Sequence, residues 1–320
     1  MTKSRNNCTL NYKATRNLIR KKEFMDAFPE IHITADTTFQ PAIRSWEIFL
    51  RDQGRSQFTI KAFLGDLNLF AGYFSPDTTI GNITTNDINR FLDWLQHERN
   101  VPCSPKSLSR RITSIKSFFR WLTQSGRIPT DPSEKVVQKS VISPLPLVLT
   151  LDEEQRVLEA ARNLRSGTKQ DVRPYTLLSL LLLTGIKKGE CLALNLNHID
   201  LDSPKSPRLF VRYSASGSRY KERNISLDTD WVETYKEYLS QYKPIDQVFP
   251  WSPRRLEYIL EDISSTAGIN KHLSFDMCRW TSALNDWRSG MDKDALRQKM
   301  GVSKIQWREV SMKLRQLAGD

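Results

Sequence analysis

Two groups of cations stand out for the chemistry they could do. The first is the turn within Leu183-Thr-Gly-Ile-Lys-Lys-Gly-Glu-Cys-Leu-Ala-Leu194, where Lys187 and Lys188 follow the apolar run Leu177 to Leu183. Ammonium groups at the mouth of a buried helix pair are placed to hold an anion. The second group lies on one helix. Lys106, Arg110, Lys116 and Arg120 share the face opposite an apolar stripe, Arg111 sits on its flank, and no acidic residue occurs between 104 and 120. A solvated face normally mixes signs, so a face of one sign points to phosphate contact. The whole chain agrees: 48 Lys plus Arg against 36 Asp plus Glu gives +12, which favours a polyanionic partner, nucleic acid first.

Other chemistries are poorly supplied. Cys8, Cys103, Cys191 and Cys278 are scattered with no C-x-x-C pair, and His32, His97, His198 and His272 are equally dispersed. That distribution reads as free thiols in a reducing cytosol, with no metal site, disulfide frame or cofactor. The longest apolar run is far shorter than the ~20 residues a membrane span requires, and the N-terminus lacks a long apolar segment. Neither a membrane nor a small-molecule substrate is expected as a partner, and the expected location is cytoplasmic.

The elements that must position these cations follow from periodicity. With 39% hydrophobic residues the 320-residue chain can bury a core, and its length suits about two domains. Residues 1–37 read as a basic N-terminal extension. From 38 to 126 the pattern is helical, a small four-helix unit. Trp46 and Phe49 mark one apolar face; Leu64, Leu67, Phe70 and Phe74 mark a second. A third helix carries Ile88, Phe91, Leu92 and Leu95 inward, with Thr85 as its N-cap. Leu108, Ile112, Ile115, Phe119 and Leu122 form the stripe opposite the basic face, and Gly126 closes that helix. Residues 127–149 hold Pro129, Pro132, Pro144 and Pro146, a density that suppresses helix and suits an extended linker. Thr150 to Glu153 then forms a capping box that opens the second domain, 150–320. There, 208–214 and 221–227 read as a β-hairpin, with helices at about 229–242, 253–266, 276–289, 293–300 and 304–317. The fold class is mainly α with one small β-hairpin or sheet.

In this order and spacing several motifs resemble those of the tyrosine recombinase, or phage integrase, family. "LLLTGIKKGECLAL" is similar to its Thr-Gly-x-Arg-x-x-Glu box, with Thr184, Gly185 and Glu190 in place. "KERNISL" resembles the strand after its catalytic-lysine turn, "DMCRWTSALNDWRSG" its His-x-x-Arg helix, and "KMGVSKIQWREVS" the segment leading to its nucleophilic tyrosine. The resemblance covers roughly 38–317. It implies a two-domain fold, a helical core-binding domain followed by a catalytic-like α+β domain, that clamps duplex DNA. It also implies chemistry in which tyrosine attacks a phosphodiester, two arginines grip the charged transition state, and a lysine protonates the leaving oxygen.

Carried over residue by residue, that chemistry meets substitutions. Lys187 stands at the first arginine position, keeping the charge without the bidentate fork. Ser218, or Arg219 with the turn shifted by one, stands at the hairpin lysine. Asp276 replaces a His or Lys, Arg279 is retained, Val302 replaces a His or Trp, and Ser311 falls at the nucleophile position. No tyrosine follows Tyr258. Of the six positions only Arg279 keeps its family type. The expectation is therefore a chain that is no enzyme. It would be a catalytically inactive duplex-DNA clamp, accessory to integration or excision of a mobile element, beside an active recombinase or further copies of itself. The alternatives are a sequence-specific transcriptional regulator of a phage or mobile element and, further off, a recombinase with a non-tyrosine nucleophile. Either setting places it at a bacterial nucleoid or in a phage or mobile element. The expected DNA contacts are Lys106, Arg110, Arg111, Lys116, Arg120, Lys187, Arg212, Arg219, Lys221, Arg223 and Arg279.

Overall fold

The computed structural model describes residues 32–101, 103–139, 143–166, 170–201 and 207–319. The N-terminal extension expected at 1–37 lies almost wholly outside them. The chain divides into two compact units, one ending at Ser143 and the other beginning at Pro144.

The first unit contains four helices among its described residues: α1 (Phe39–Asp52), α2 (Gln57–Ala71), α3 (Thr85–His97) and α4 (Pro105–Gln124). Three of these helices, α2, α3 and α4, start where a small polar side chain satisfies an orphan backbone N–H. Ser56 caps α2, and Ser104 caps α4 with Pro105 in the first turn. The cap of α3 is Thr84, one residue before the expected Thr85, because Asp87 closes a capping box with Thr84. Thr85 instead donates to the carbonyl of Pro132 at 2.7 Å. The core is aromatic. Trp46, Phe70, Phe91, Phe118 and Phe119 are fully buried, and the Phe70 ring meets Phe39, Phe91 and Phe119 edge-on. Edge-on packing is the arrangement ring quadrupoles favour.

The segment expected as extended linker belongs partly to this unit. Ile128, Ser133 and Val136 are buried in it, and Gln138 donates to Ser109 and Thr113 of α4. The described residues of 127–149 contain no helix, in keeping with their proline density. That density carried no information about Asp131, whose carboxylate accepts from the N–H and hydroxyl of Ser133 and folds the chain back.

The second unit holds α5 (Leu151–Ser166), α6 (Arg173–Thr184), α7 (Lys188–Leu192), α8 (Thr229–Tyr242), α9 (Pro253–Thr266), α10 (Phe275–Arg288), α11 (Lys293–Lys299) and α12 (Lys304–Ala318). A three-stranded antiparallel sheet runs in the order β1 (Ile199–Asp200), β2 (Arg208–Val211), β3 (Arg223–Ser226). The expected hairpin is β2–β3, joined through a 3₁₀ turn at Ser216–Lys221. β1 has two residues, too few for any alternation to register. Helix α6 is the centre of this unit: eight of its twelve residues are buried, and it packs against α5, α8 and α10. It ends on Gly185 at φ 59°, a left-handed cap that suits glycine. The turn carrying Lys187 therefore leaves the end of the most buried helix.

Candidate nucleic-acid interface

Two geometries meet at Lys187. The Gly185 cap turns the chain so that Lys187 precedes α7, and its backbone N–H donates to Glu190 Oε2 at 2.8 Å. Glu190 is buried and holds the local charge together. Its oxygens accept from Arg223 at 3.0 and 2.8 Å and from the Tyr213 hydroxyl. Those donors hold its carboxyl down at about 2, against the burial that pushes it up. The Lys187 ammonium reaches the Gly301 carbonyl at 3.1 Å and lies 3.9 Å from Glu190 Oε1. Burial is the main cause that lowers it to about 8. Nearby Arg279, Arg223 and Lys221 press in the same direction, and Glu190 opposes them.

Below this ammonium the two arginines are engaged by the protein itself. Arg279 is 7% exposed, and its terminal nitrogens donate to the carbonyls of Gly185 and Met300. Burial lowers it to about 10, yet it remains a cation at neutral pH. Arg223 gives its terminal nitrogens to Glu190 and its Nε to the Lys299 carbonyl at 2.6 Å, with a side chain only 6% exposed. Both were expected to touch DNA. The structure makes Arg223 a brace between Glu190 and the end of α11, and Arg279 a brace between the α6 cap and the Met300 carbonyl. Neither guanidinium presents a free fork to solvent.

What remains open lies around a cleft of about 570 Å³, whose walls include Tyr220, Lys221, Arg223, Arg297, Lys299 and Gly301. Arg297 is paired with Asp294, and Lys299 with Asp286. Lys221 has no carboxylate partner among the described residues; its ammonium lies 5.1 Å over the Tyr220 ring. Lys187 and Lys221 are thus the cations this pole offers to an incoming anion. Lys188 pairs with Glu257 on α9 at 2.5 Å, in keeping with a surface neighbour.

The other degenerate positions fall as follows. Ser218 lies in the 3₁₀ turn and donates its N–H to Ala215. Asp276 is exposed in the first turn of α10, where a carboxylate suits the helix dipole. Val302 packs partly into the small core formed by α10, α11 and α12. Ser311, half-buried on α12, donates to the Arg308 carbonyl at 3.2 Å. Arg212 and Arg219 are exposed.

On α4 the single-sign face also needs correction. Asp66 of α2, buried at 3%, accepts from Arg110 and Ser114, and Arg111 Nε lies 3.6 Å from its other oxygen. Arg111 also points a terminal nitrogen at the Cys103 sulfur. Reading α4 alone missed this carboxylate because it comes from 44 positions away. Lys106 and Arg120 remain exposed and unpaired among the described residues, and Lys116 reaches only the Glu134 carbonyl at 3.5 Å.

These two units define the architecture of a DNA recombinase of the integrase type. Residues 43–126 match the phage integrase N-terminal SAM-like domain, and residues 148–309, a little over half of the chain, match the phage integrase family. The chain belongs to the phage integrase family. Relatives include tyrosine recombinase XerD of Listeria innocua, 25% identical over 268 residues spanning 79% of this chain and 87% of that one. Tyrosine recombinase XerC of a Roseiflexus species is 27% identical over 280 residues, 81% and 85% of the two chains. Among solved structures, a lambda integrase (75–356) dimer bound to a COC′ core site superposes with a TM-score of 0.67 at 17% identity. It covers 86% of this chain and 95% of that one. The expectation that the chain is no enzyme does not stand. The integrase family match, residues 148–309, spans Lys187, Ser218, Asp276 and Val302 and stops two residues short of Ser311, and the relatives are named as tyrosine recombinases. Missing residue types at separate positions were an insufficient basis for excluding an activity. Among the described residues no helix is long and apolar enough to cross a membrane.

Proposed function

We propose that this chain acts on duplex DNA in site-specific recombination, as one subunit of a multi-subunit complex, and seats a backbone phosphate at Lys187 and Lys221. The observation that carries this reading is the pole at Gly301. There the Lys187 ammonium has a carbonyl and an already occupied carboxylate for company, beside the cationic cleft that Lys221 lines. A phosphate oxygen supplies the acceptor this pair lacks, and ammonium groups bind phosphate as point charges. Lys106, Lys116 and Arg120 on α4 supply further backbone contact. Solved neighbours of like fold include a lambda integrase dimer on a core site and a lambda integrase tetramer on a Holliday junction, which supports the subunit role.

The test is a gel shift on duplex from the protein's own locus across a salt series. Log affinity should fall linearly with log salt, at roughly 0.9 per phosphate neutralised. The pair Lys187→Ala plus Lys221→Ala should flatten that slope by about 0.9, the share of one phosphate. Salt-independent binding, or none, overturns the reading. A nicked suicide duplex then locates the cutting step. An adduct lost on Ser311→Ala assigns the covalent link to that hydroxyl, one that survives assigns it to another group, and none moves cutting to a neighbouring subunit.

A further inference from the structure

Cutting a DNA strand and later resealing it without outside energy needs a side-chain oxygen that holds the phosphate in between. The segment after Tyr258 has no tyrosine to do this. The cleft at Gly301 holds another candidate. Of the described residues lining it, Tyr220 alone carries a hydroxyl. Tyr220 stands in the 3₁₀ turn Ser216–Lys221 and is 64% exposed, so its ring contributes little to the core. Its hydroxyl has no hydrogen-bond partner among the described residues. The Lys221 ammonium lies 5.1 Å over the same ring, so a phosphate held by that charge is beside the phenol.

Other hydroxyls of this unit are engaged elsewhere. Tyr213 donates to the buried Glu190 carboxylate; burial and then that bond push its pKa up, away from the nucleophilic phenolate. Tyr258 accepts from Arg254 Nε at 2.8 Å, one turn away on α9. Ser311 donates to the Arg308 carbonyl of its own helix at 3.2 Å. Tyr220 is the hydroxyl that combines exposure, freedom from an internal partner and a place in the cationic cleft.

We propose that Tyr220 is the nucleophile of this chain, its phenolic oxygen attacking the backbone phosphorus seated at Lys187 and Lys221 to leave a covalent phosphotyrosyl link. The bond formed joins the Tyr220 oxygen to phosphorus; the bond broken joins phosphorus to one sugar oxygen. The phenol proton passes to water, and the leaving sugar oxygen takes a proton from the Lys187 ammonium. Burial brings that ammonium to about 8, so it yields its proton more readily than a solvated lysine. The reverse transfer reseals the strand. The assignment rests on the recombination reading above, and the experiment tells the two apart. Duplex from the protein's own locus, nicked so that a cut releases a short strand, is incubated with the full chain, and the covalent product is digested and mapped by mass spectrometry. The nucleotide should sit on the peptide holding Tyr220 and survive alkali. A serine ester is lost there by elimination across Cα–Cβ, a route closed to a phenol ester. Tyr220→Phe keeps the ring under Lys221 and lacks only the oxygen, so the adduct should vanish while duplex affinity and thermal unfolding match those of the unmodified chain. An adduct that still forms in Tyr220→Phe, or that maps to another residue, overturns the assignment and leaves recombination by this chain standing. Salt-dependent binding with no adduct also overturns it and moves cutting to a neighbouring subunit. If the unmodified chain shows no salt-dependent binding, the DNA reading itself fails.

Discussion

A phosphate seated at Lys187, as proposed, would make DNA affinity a function of pH. Its ammonium sits between the Gly301 carbonyl and a Glu190 carboxylate already held by Arg223 and Tyr213. Burial and the neighbouring cations bring it to about 8. The lysine is charged below that value and neutral above it. Phosphate binding needs the charged form, so affinity should be flat on the acidic side and fall as pH rises through about 8. One pH unit above the midpoint about nine tenths of the free ammoniums are neutral, which weakens binding roughly tenfold per unit. The fall stops when the contact is worth nothing. A hydrogen bond to a charged group contributes about 1.5–3 kcal/mol, so the full loss is about tenfold to a hundredfold. Fluorescence anisotropy on one duplex at fixed salt, from about pH 6.5 to 9.5, reads this directly. Lys187→Arg, charged throughout, should bind with a flat profile, and Lys187→Met should bind weakly with a flat profile. An unmodified chain flat across the range, or an equal decline in Lys187→Arg, refutes the reasoning. Folding stability moves oppositely, because between about 8 and the ordinary lysine value the unfolded chain holds more protons.

Three further outcomes follow from the same contacts. Glu190, held at about 2, contributes stability that is complete above its ordinary value of 4.5 and lost as pH falls toward 2. Urea unfolding should show an acid-labile component on the order of 3 kcal/mol that Glu190→Gln lacks. Asp66→Ala removes the buried carboxylate shared by Arg110, Arg111 and Ser114. It should lower stability by about 2–3 kcal/mol at unchanged m-value, less than a fully buried pair because Arg110 reaches solvent. Gly301→Ala places a Cβ 2.6 Å from an Arg223 nitrogen at φ 57°; it should lower the melting temperature by several degrees and weaken duplex binding through the displaced Lys187 acceptor.

Much of the fold was legible because it is local. The helix at 253–266 and its Ser252 cap follow from a short polar side chain, a proline in the first turn and a 3.6-residue apolar period, and the structure has them. The Thr150–Glu153 capping box forms in both directions. The hairpin was visible as two strand-like runs. The 3₁₀ turn between them and the two-residue β1 were not, since neither carries a pattern long enough to count.

The site divides along the same line. From the sequence alone come the basic balance, the motif order that points to the integrase family, the turn that puts Lys187 after a buried helix, and the absence of tyrosine beyond Tyr258. Only the tertiary structure decides which cations are free. Arg223 and Glu190 are 33 positions apart, Arg110 and Asp66 44, and Arg279 meets carbonyls on two other elements. A charge in the sequence is an isolated quantity. Whether it faces a phosphate or a buried carboxylate depends on what the fold brings within about 4 Å, where the Coulomb term and desolvation are both large. That is why reading the residues one by one finds the cations but not which of them the fold pairs internally.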